Sequence, residues 1–332
     1  MHKPVIVPHE LISFIEEGHK FIIAGHQEPD GDCIGSQLVL GEALNRLGKK
    51  VLLCSAGPFK RPEIVHYRDR FTASINEADR YGAQLIIVDC STLCRTGTIA
   101  SLLEGLPTAI IDHHKASSQY TKESSATPVF LDPQAPSVTS MIFSLVKALG
   151  INLRAEEAEL LLFGLCTDTG FFRHVTEQGA ATFDCAAELV RNGASPQRVF
   201  NAINGGKTFN FCIFLGILLS NARSYFSGKL IVTHETLEET QRFGLEHRDS
   251  DSLYQLLQSI AGVDAVVVIR QETAQNCTVG LRSQGTVDVS KIAVQFGGGG
   301  HMNAAGVSIP GTIEEVWDKL QPIFKHVLLP SS

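Results

Sequence analysis

Short apolar runs alternate with helical patterns through the first half of the chain. Four near-continuous runs are typical of strands: KFIIAG (20–25), KVLLC (50–54), QLIIVD (84–89) and TAIID (108–112). Because these runs lack polar alternation, they indicate strands that are buried on both faces of a sheet. Apolar positions recur at helical spacing over 34–47, 137–149 and 155–167. The pattern predicts an α/β fold whose N-terminal domain is doubly wound around a mainly parallel sheet.

A different order of elements follows in the second half. The pattern is helical from about 176 to 224, and strand patterns then return at 229–234, 264–270 and 276–283. Helical patterns accompany these strands near 251–261, 288–295 and 312–325. We predict a second, smaller α/β domain. The chain is therefore divided into a first domain over 1–190, a helical connector over 191–225 and a second domain over 226–332.

The composition limits the class of partner. The 332 residues carry a net charge of -7 and are 44% hydrophobic. This balance excludes a broad basic face for long nucleic acid but allows a local basic pocket for a small anion. The N-terminus has no signal-peptide pattern, and the longest later apolar run, 209–220, is shorter than the ~20 residues that cross a bilayer. We expect a cytoplasmic protein that binds neither a membrane nor long duplex nucleic acid.

Carboxylates and histidines follow the ends of buried elements in the first half. They are His26, Asp30 and Asp32 after the first strand, Asp89 after the third, Asp112, His113 and His114 at the end of the fourth, and Asp168 at the end of an apolar helix. The carboxyl ends of parallel strands share one edge of a sheet, where ligands bind. We therefore expect these side chains to converge on one site.

Several aspartates on one edge would repel one another unless cations neutralise them. Mixed oxygen and imidazole ligands favour Mn, Co, Fe or Zn over Ca, and the eight cysteines have no spacing typical of structural zinc. Two divalent cations about 3.5 to 4 Å apart that share a carboxylate would hold a hydroxide and clamp a phosphoryl group. The residues therefore predict two-metal hydrolysis of a phosphoester.

Five motifs resemble those of a known family. HQEPDGDCIGS, VDCS, DHH and TDTG, in this order, resemble the four motifs of the DHH phosphoesterase superfamily. The segment LRSQGTVDVSKIAVQFGGGGHMNAAG (281–306) resembles the DHH-associated domain, in which a G-G-G-H signature holds substrate. The resemblance spans nearly the whole chain. Length and the lack of extra domains are most similar to bacterial oligoribonucleases that also remove the 3'-phosphate of 3'-phosphoadenosine 5'-phosphate (pAp).

The resemblance implies a set of ligands for two divalent cations, which would be Mn²⁺ with Mg²⁺, Co²⁺ or Zn²⁺ as alternatives. One cation would be held by His26, Asp30 and Asp89, and the other by Asp32, Asp89, His113 and Asp168. Asp89 would then bridge the two cations. Asp112 would orient a ligand histidine instead of binding metal itself.

The resemblance also implies residues that act on the substrate. His114 would stand beside the transferring phosphate, in the catalytic group with Asp112 and His301. Substrate phosphates would be bound in the second domain by Arg282, Ser283, His301 and a nest of amides from Gly297, Gly298, Gly299 and Gly300. A cleft between the two domains would close on the substrate.

The implied activity is hydrolysis of short oligoribonucleotides to mononucleotides and of pAp to AMP. Alternatives within the superfamily are a single-strand exonuclease, a phosphodiesterase for dinucleotides derived from cyclic dinucleotides, and a pyrophosphatase. GGGGHMNAAG disfavours a pyrophosphatase, and the chain length and acidic balance disfavour a processive exonuclease. A nucleotide-binding regulator without activity is the alternative from another class, and the intact set of metal positions disfavours it. A homodimer is compatible with the family, although no feature of the sequence specifies one.

Overall fold

The computed structural model describes residues 6–114, 127–245, 248 and 250–329. The chain divides into two compact units, Met1–Gly206 and Lys207–Ser332. The boundary between them lies inside the stretch 191–225 that the sequence analysis treats as a connector.

The first unit is built from parallel strands and surrounding helices. Its strands are β1 (Lys20–Ala24), β2 (Lys50–Cys54), β3 (Gln84–Val88), β4 (Thr108–Asp112) and β5 (Val129–Leu131). Its helices are α1 (His9–Glu17), α2 (Gly31–Arg46), α3 (Glu77–Arg80), α4 (Ala100–Leu103), α5 (Val138–Ala148), α6 (Ala155–Asp168), α7 (Ala180–Arg191) and α8 (Pro196–Asn204). Two 3₁₀ helices cover Val65–Arg70 and Leu93–Ile99.

The sheet of the first unit has the order β2-β1-β3-β4-β5, and every pair of neighbouring strands within the described residues is parallel. Side chains alternate between its two faces. Ile23 and Ile86 pack into a core beneath α1, α2, α5 and α6, whereas Ile22 and Leu85 pack into a second core with Leu103 of α4. Both faces are therefore covered, which explains the continuous apolar runs. The predicted doubly wound α/β domain is confirmed.

Helix α2 begins at Gly31, three residues before the start that the apolar spacing predicts. Asp30 caps it, because its side-chain oxygen Oδ1 accepts hydrogen bonds from the amides of Asp32 and Cys33, both at 3.1 Å. The cap satisfies amides that have no partner inside the helix. The first turn of α2 therefore carries Asp32 into the protein interior.

The second unit contains a mixed sheet. Its strands are β6 (Arg223–Tyr225), β7 (Leu230–Glu235), β8 (Ala265–Thr273), β9 (Asn276–Ser283), β10 (Gly299–His301) and β11 (Ala304–Pro310). Its helices are α9 (Phe209–Ser220), α10 (Leu237–Phe243), α11 (Ser250–Gln258), α12 (Val289–Val294) and α13 (Ile313–Leu328). The order is β10-β11-β9-β8-β7-β6, and among the described strands only β7 and β8 pair in parallel.

Helices cover one face of this second sheet and only part of the other face. Val267 and Leu281 pack into a core with α12 and α13. On the opposite face, Val266 and Val268 pack against α9 and α11, so that the helices cover β7 and β8. The same face of β9, β11 and β10 is partly or fully exposed. The second, smaller α/β domain is confirmed.

Four strands, β5, β6, β10 and β11, are absent from the sequence-based prediction. The helical interpretation of 176–224 is wrong at its end, where β6 pairs with β7 along the edge of the sheet. Strand β10 gives no apolar alternation, because it consists of two glycines and His301. Strand β11 was missed although Ala305, Val307 and Ile309 alternate with exposed residues. Within the described residues, no single helix is long and apolar enough to span a bilayer, and α8 with α9 meets that criterion only as a bent pair.

Candidate functional site

Parallel pairing brings the predicted side chains of the first unit together. Strand β3 lies between β1 and β4, with Ala24 opposite Ile87 and Val88 opposite Ile111. The residues that follow these strands therefore meet at one edge of the sheet, as the sequence analysis expects. Three groups of ligand atoms lie within 4.8 Å of one another there: His26 with Cys33 and Asp89, Asp89 with His113 and His114, and Asp32 with His113 and Asp168.

Asp89 occupies the centre of this cluster. Its carboxylate is 2% exposed, and Oδ2 lies 3.4 Å from Nε2 of His26. Oδ1 lies 3.9 Å from Nε2 of His113 and 3.7 Å from Nδ1 of His114. Oδ1 has no hydrogen-bond partner among the described residues. A buried carboxylate oxygen without a partner is costly, so a bound cation would stabilise this atom.

His26 and His113 are held in the same way. Nδ1 of His26 lies 2.9 Å from the carbonyl oxygen of Gln27, and Nδ1 of His113 lies 3.1 Å from that of Ala135. Both Nδ1 atoms can donate to these carbonyls, which leaves each Nε2 facing carboxylates. Nε2 of His113 lies 3.1 Å from Oδ2 of Asp168. A backbone acceptor on one ring nitrogen is the usual support of a metal-binding histidine.

Asp32 is fully buried at the start of α2 and is fixed by the N-terminus of α5. Its carboxylate accepts hydrogen bonds from the amides of Val138 (2.6 Å) and Thr139 (2.8 Å) and from the Thr139 hydroxyl (2.6 Å). A carboxylate has about four acceptor positions, so one remains for another partner. Burial raises the pKa of Asp32 well above its usual range, and the charges of Asp89 and Asp168 raise it further.

The electrostatics of the cluster favour bound positive charge. Burial by itself would lower the pKa of His26, but Asp30 and Asp89 outweigh it and raise that pKa to about 10. Asp168, Asp32 and Asp89 likewise outweigh burial and raise the pKa of His113 to about 10. The carboxylates therefore hold protons on both imidazoles far more tightly than water does. Cations that displaced these protons would meet the same attraction.

Two divalent cations fit this donor set. It offers carboxylate oxygens and imidazole nitrogens, a mixture suited to Mn, Fe, Co or Zn. It also contains a buried oxygen of Asp89 that lacks a partner among the described residues and lies between two groups of ligand atoms. The donor types and the buried Asp89 oxygen without a partner therefore agree with the two-metal chemistry that the sequence predicts. Whether Asp89 bridges the cations stays a prediction.

Cys33 is a member of the cluster that the sequence analysis did not identify. Its Sγ lies within 4.8 Å of ligand atoms of His26 and Asp89. The thiol donates to Oε1 of Gln37 at 3.6 Å, and burial followed by the charge of Asp89 raises its pKa well above the usual range. The protonated thiol is a poor ligand. We therefore keep Cys33 outside the proposed ligand set.

Asp112 orients His114. Its oxygen Oδ1 accepts from the His114 amide at 3.1 Å and lies 2.7 Å from Nδ1 of the same residue. The hydrogen bond with Asp112 raises the pKa of His114. Burial would raise the pKa of Asp112, but the contact with His114 holds it below its ordinary value. The pair therefore keeps a proton on the His114 imidazole at the edge of the cluster. The sequence analysis expects Asp112 to orient a histidine that binds metal, but the residue it orients is His114, which is not among the predicted metal ligands.

The second unit has a pocket of about 370 Å³ on the open half of its sheet. Three residues predicted to bind substrate line it, namely Arg282, Gly299 and Gly300. Arg270 and Tyr254 also line it, and the sequence analysis missed both. The available signal was Arg270 at the end of the apolar run DAVVVIR, where a charged residue interrupts a buried strand pattern.

The structure does not bring every predicted residue of the second unit to this pocket. Side chains alternate along β9, so Ser283 faces away from Arg282; it is 4% exposed, and its hydroxyl donates to the Val287 carbonyl at 2.7 Å. The Gly297 and Gly298 amides donate to carbonyls of Val294 and Ala293. These two amides close the end of α12, so the predicted four-amide nest loses them to the helix.

His301 lies on the exposed strand β10. It pairs through Ala304 of β11 with Arg282 of β9. Directly opposed residues share a face, so the His301 and Arg282 side chains lie on the same face, two strand spacings or about 10 Å apart. His301 does not line the pocket.

Two family models match the chain. The model of the DHH family, N-terminal domain, matches residues 20–165, and that of the DHHA1 domain matches residues 229–328. The matches include the cluster of the first unit except Asp168, and they include the pocket residues of the second unit. The family resemblance inferred from the motifs is confirmed.

Two characterised relatives align over most of the chain. The bifunctional oligoribonuclease and PAP phosphatase NrnA of Thermus thermophilus is 32% identical over 292 residues, which cover 87% of this chain and 84% of that protein. The enzyme of the same name from Bacillus subtilis is 29% identical over 310 residues, 90% of this chain and 92% of that protein.

A solved structure shares the fold. The exopolyphosphatase-related protein from Bacteroides fragilis superimposes with a TM-score of 0.74 at 24% identity, covering 96% of each chain. At this identity the likeness supports the α/β architecture alone.

Proposed function

The chain belongs to the DHH family of phosphoesterases, and on this premise we propose that it is a cytoplasmic two-metal enzyme that cleaves short oligoribonucleotides to mononucleotides and removes the 3'-phosphate of pAp. The observation that carries the proposal is the buried Asp89 carboxylate, which lies between His26 and the pair His113 and His114. The names of the two aligned relatives narrow the substrate class.

We propose that two divalent cations occupy the cluster. One would be held by His26, Asp30 and Asp89, and the other by Asp32, Asp89, His113 and Asp168. Mn²⁺ is the proposed metal, and the mixture of carboxylates and imidazoles without a thiolate is compatible with it. When bound, the cations would supply an activated hydroxide and would neutralise charge on the reacting phosphate.

The protein residues around the cluster supply proton control and orientation. The Asp112 carboxylate fixes Nδ1 of His114, so Nε2 of that ring is the nitrogen left to meet a substrate oxygen. A His114 that carries a proton can stabilise the negative charge of the transferring phosphoryl group or protonate the departing oxygen. The amides at the N-terminus of α5 hold the Asp32 carboxylate in place, so this side chain is already positioned before a cation binds.

The second unit is proposed to bind the substrate through its phosphate groups. Arg282 supplies a planar set of donors, and Gly299 and Gly300 leave backbone open to a ligand. Contacts of this kind hold the sugar-phosphate backbone and not the bases, so the sequence of the oligonucleotide should matter little. The overall charge of -7 agrees with a preference for short substrates over long ones.

The proposal is tested by measuring hydrolysis of 5'-phosphorylated diadenylate, pAp, a long single-stranded RNA and pyrophosphate in parallel, with and without Mn²⁺. We expect metal-dependent cleavage of the dinucleotide and of pAp, with little cleavage of the other two. Pyrophosphate as the best substrate would contradict the proposal and indicate a pyrophosphatase. Preferential cleavage of the long RNA would indicate an exonuclease, and no turnover of any substrate would favour a nucleotide-binding regulator.

A further inference from the structure

Three glycines form a bare strip across the sheet of the second unit. Gly280 of β9 lies opposite Gly306 of β11, which in turn lies opposite Gly299 of β10. All three line the pocket of about 370 Å³. Because opposed residues share a face, no side chain rises from this row, and a ligand can approach the backbone closely. The pocket volume lies at the lower end of the range for small-molecule sites.

Tyr254 of α11 brings a buried hydroxyl to this strip. The residue is 4% exposed, and its hydroxyl has no hydrogen-bond partner among the described residues. A Cβ atom on Gly280 would lie 2.1 Å from that hydroxyl, so the glycine leaves the space that the hydroxyl occupies. Burial raises the pKa of Tyr254 and outweighs the opposing effects of Arg270 and Arg282, which keeps the phenol protonated and able to donate. Such a group is expected to meet an acceptor that enters the pocket.

Arg270 of β8 reaches the same place. Its Nε donates to Oε2 of Glu235 at 3.0 Å, and its Nη2 donates to the hydroxyl of Ser250 at 3.1 Å. Its third nitrogen, Nη1, lies 3.9 Å from the position of a Cβ on Gly280, and the guanidinium is close enough to the Tyr254 hydroxyl to lower the pKa of that group. Glu235 and Ser250 thus fix the guanidinium along one side, while Nη1 lies towards the Tyr254 hydroxyl and the glycine strip.

Glu235 is the anchor of this arrangement. It is fully buried at the end of β7, where Oε1 accepts from Nε of Arg248 at 2.6 Å and from the Thr240 hydroxyl at 2.6 Å. One carboxylate therefore holds two arginines in place. Breaking such a buried pair from one side leaves a charge without compensation, so the position of Arg270 depends on Glu235.

Arg282 completes the donors of the pocket. Its guanidinium lies over the ring of Tyr254, 4.6 Å from the centroid, and it pairs with no carboxylate among the described residues. The polar groups that Arg270, Tyr254 and Arg282 present to the pocket are donors. An open pocket that is lined by these donors and by bare backbone, with no carboxylate among the described lining residues, suits an anion.

We propose that Arg270 and Tyr254 bind a phosphate group of the nucleotide substrate in this pocket, and that Glu235 positions Arg270 for it. The proposal rests on the proposed function for the identity of the substrate, but the pocket itself is defined by residues of the second unit. It assigns binding roles to two side chains outside the family motifs. The volume leaves room for a nucleoside attached to the phosphate.

The test compares R270Q and Y254F with R242Q in the full-length chain. Arg242 is an exposed arginine on α10 whose guanidinium packs on Phe243 and does not line the pocket. Two readouts are needed: calorimetric titration with AMP and with inorganic phosphate, and kcat and KM for pAp and for bis(4-nitrophenyl) phosphate, a small diester without a nucleoside.

For R270Q we expect about a tenfold or larger rise in the Kd of AMP and a matching fall in the ratio of kcat/KM for pAp to that for the aryl diester. For Y254F the expected change is roughly threefold to tenfold. Because the hydroxyl has no partner in the described structure, Y254F should leave the melting temperature equal or higher. R242Q should match the wild type in every measurement.

Wild-type AMP affinity in both pocket variants would overturn the proposal, as would equal losses on pAp and on the aryl diester. A wild-type protein that binds neither AMP nor inorganic phosphate would overturn it too. Failure of the proposed function looks different: the wild type would cleave the aryl diester but no nucleotide, and the titrations would still decide whether Arg270 and Tyr254 bind phosphate.

The positioning role of Glu235 is tested with E235Q, which should raise KM for pAp to a similar extent as R270Q while kcat changes less. If E235Q does not fold, R270K replaces it. Lysine keeps the charge but cannot contact Glu235, Ser250 and the ligand through one planar group. An unchanged KM in R270K would show that charge alone suffices and would contradict the role of Glu235.

Discussion

At the scale of single residues, the backbone of Asp89 is the unusual feature of the cluster. Its φ of 60° lies in the left-handed region, directly after the last residue of β3. Most side chains avoid this region, whereas aspartate and asparagine tolerate it better than others. The residue type therefore allows the chain to turn sharply and also places a carboxylate between the histidines.

Replacing Asp89 by asparagine separates these two roles. D89N keeps the side-chain size and the tolerance for left-handed backbone, but it removes the charge. Loss of a hydrogen-bond partner behind a metal ligand typically costs about 10- to 100-fold in affinity or activity, so loss of a ligand should cost at least about a hundredfold. The measurements are kcat/KM for pAp and metal content after dialysis. D184N, which changes an exposed aspartate on α7, is the control, and activity of D89N near that of D184N would contradict the assignment.

The pair of Asp112 and His114 predicts a change in pH dependence. The hydrogen bond with Asp112 raises the pKa of His114, so a proton stays on that imidazole until the pH rises through the raised value. If the protonated ring acts in the reaction, D112N lowers this pKa, and activity is then lost at a lower pH on the alkaline side. The check is kcat/KM against pH for both proteins. Superimposable alkaline limbs would show that His114 does not act as the proton-bearing group.

At the scale of elements, α2 and α6 meet through glycines beside the cluster. A Cβ on Gly35 would lie 2.8 Å from the Leu160 carbonyl oxygen. A Cβ on Gly164 would lie 2.4 Å from a methyl of Thr139 and 3.0 Å from the Cα of Asp32. This close approach brings the start of α2, which carries Asp32, against the helix that ends at Asp168.

The close approach predicts the effect of adding one methyl group. G164A should displace Thr139, whose hydroxyl and amide fix Asp32, and overpacking of this kind costs about 1–3 kcal/mol. We expect a lower urea midpoint and weaker Mn²⁺ binding. The control is G216A in α9, where a Cβ would meet no described atom within 4 Å and alanine should stabilise the helix. Wild-type metal affinity in G164A would show that Asp32 tolerates the shift.

Neighbouring residues of strand β9 have different roles, because side chains alternate between the two faces of the sheet. Arg282 and Gly280 face the pocket, while Ser283 and Leu281 face the core beneath α12 and α13. Two adjacent motif residues therefore cannot both reach the same phosphate from this strand. The motif Arg-Ser combines one residue that faces the pocket with one whose hydroxyl donates to the Val287 carbonyl in the following loop.

At the scale of the whole molecule, stability and metal binding should be coupled. The first unit buries the carboxylates of Asp32 and Asp89 close together, and the pKa of Asp89 is raised to about 6 by burial and by the charges of Asp30 and Asp168. Such repulsion weakens the folded state unless positive charge relieves it. A bound cation would offset the repulsion between these carboxylates. If the cation binds only the folded chain, it also shifts the folding equilibrium towards the folded state by mass action.

Metal removal is therefore expected to abolish activity and to lower the melting temperature. Readdition of Mn²⁺ should restore both, and a concentration of a hundred times Kd should add about 2.7 kcal/mol of stability for each occupied site. The ligands must lose protons first, because the pKa values of His26 and His113 are raised to about 10, so Mn²⁺ should bind more weakly as the pH falls. Calorimetric scans against Mn²⁺ at two pH values provide the measurement. A melting temperature insensitive to Mn²⁺ would contradict metal binding by this cluster.

Much of this architecture was predictable from the chain alone. Apolar runs such as QLIIVD identify strands buried on both faces, and the carboxylates that follow them identify the sheet edge where they meet. The signals are local, because burial on both faces requires continuous apolar sequence and parallel strands need no further information to align their ends. The fold class, the grouping of His26, Asp89 and His113 and the family motifs follow from these patterns.

Other features depend on which strand lies beside which, and sequence spacing does not report this. The three-glycine strip exists only because β11 pairs with both β9 and β10 in a register that aligns one glycine from each strand. Tyr254, Arg270 and Gly280 come from different elements, and only the packing of α11 on the sheet brings the hydroxyl next to the guanidinium. The sequence thus determined the elements and the chemistry at their ends, whereas tertiary pairing decided which donors face a common pocket, because alternation and register assign side chains to faces.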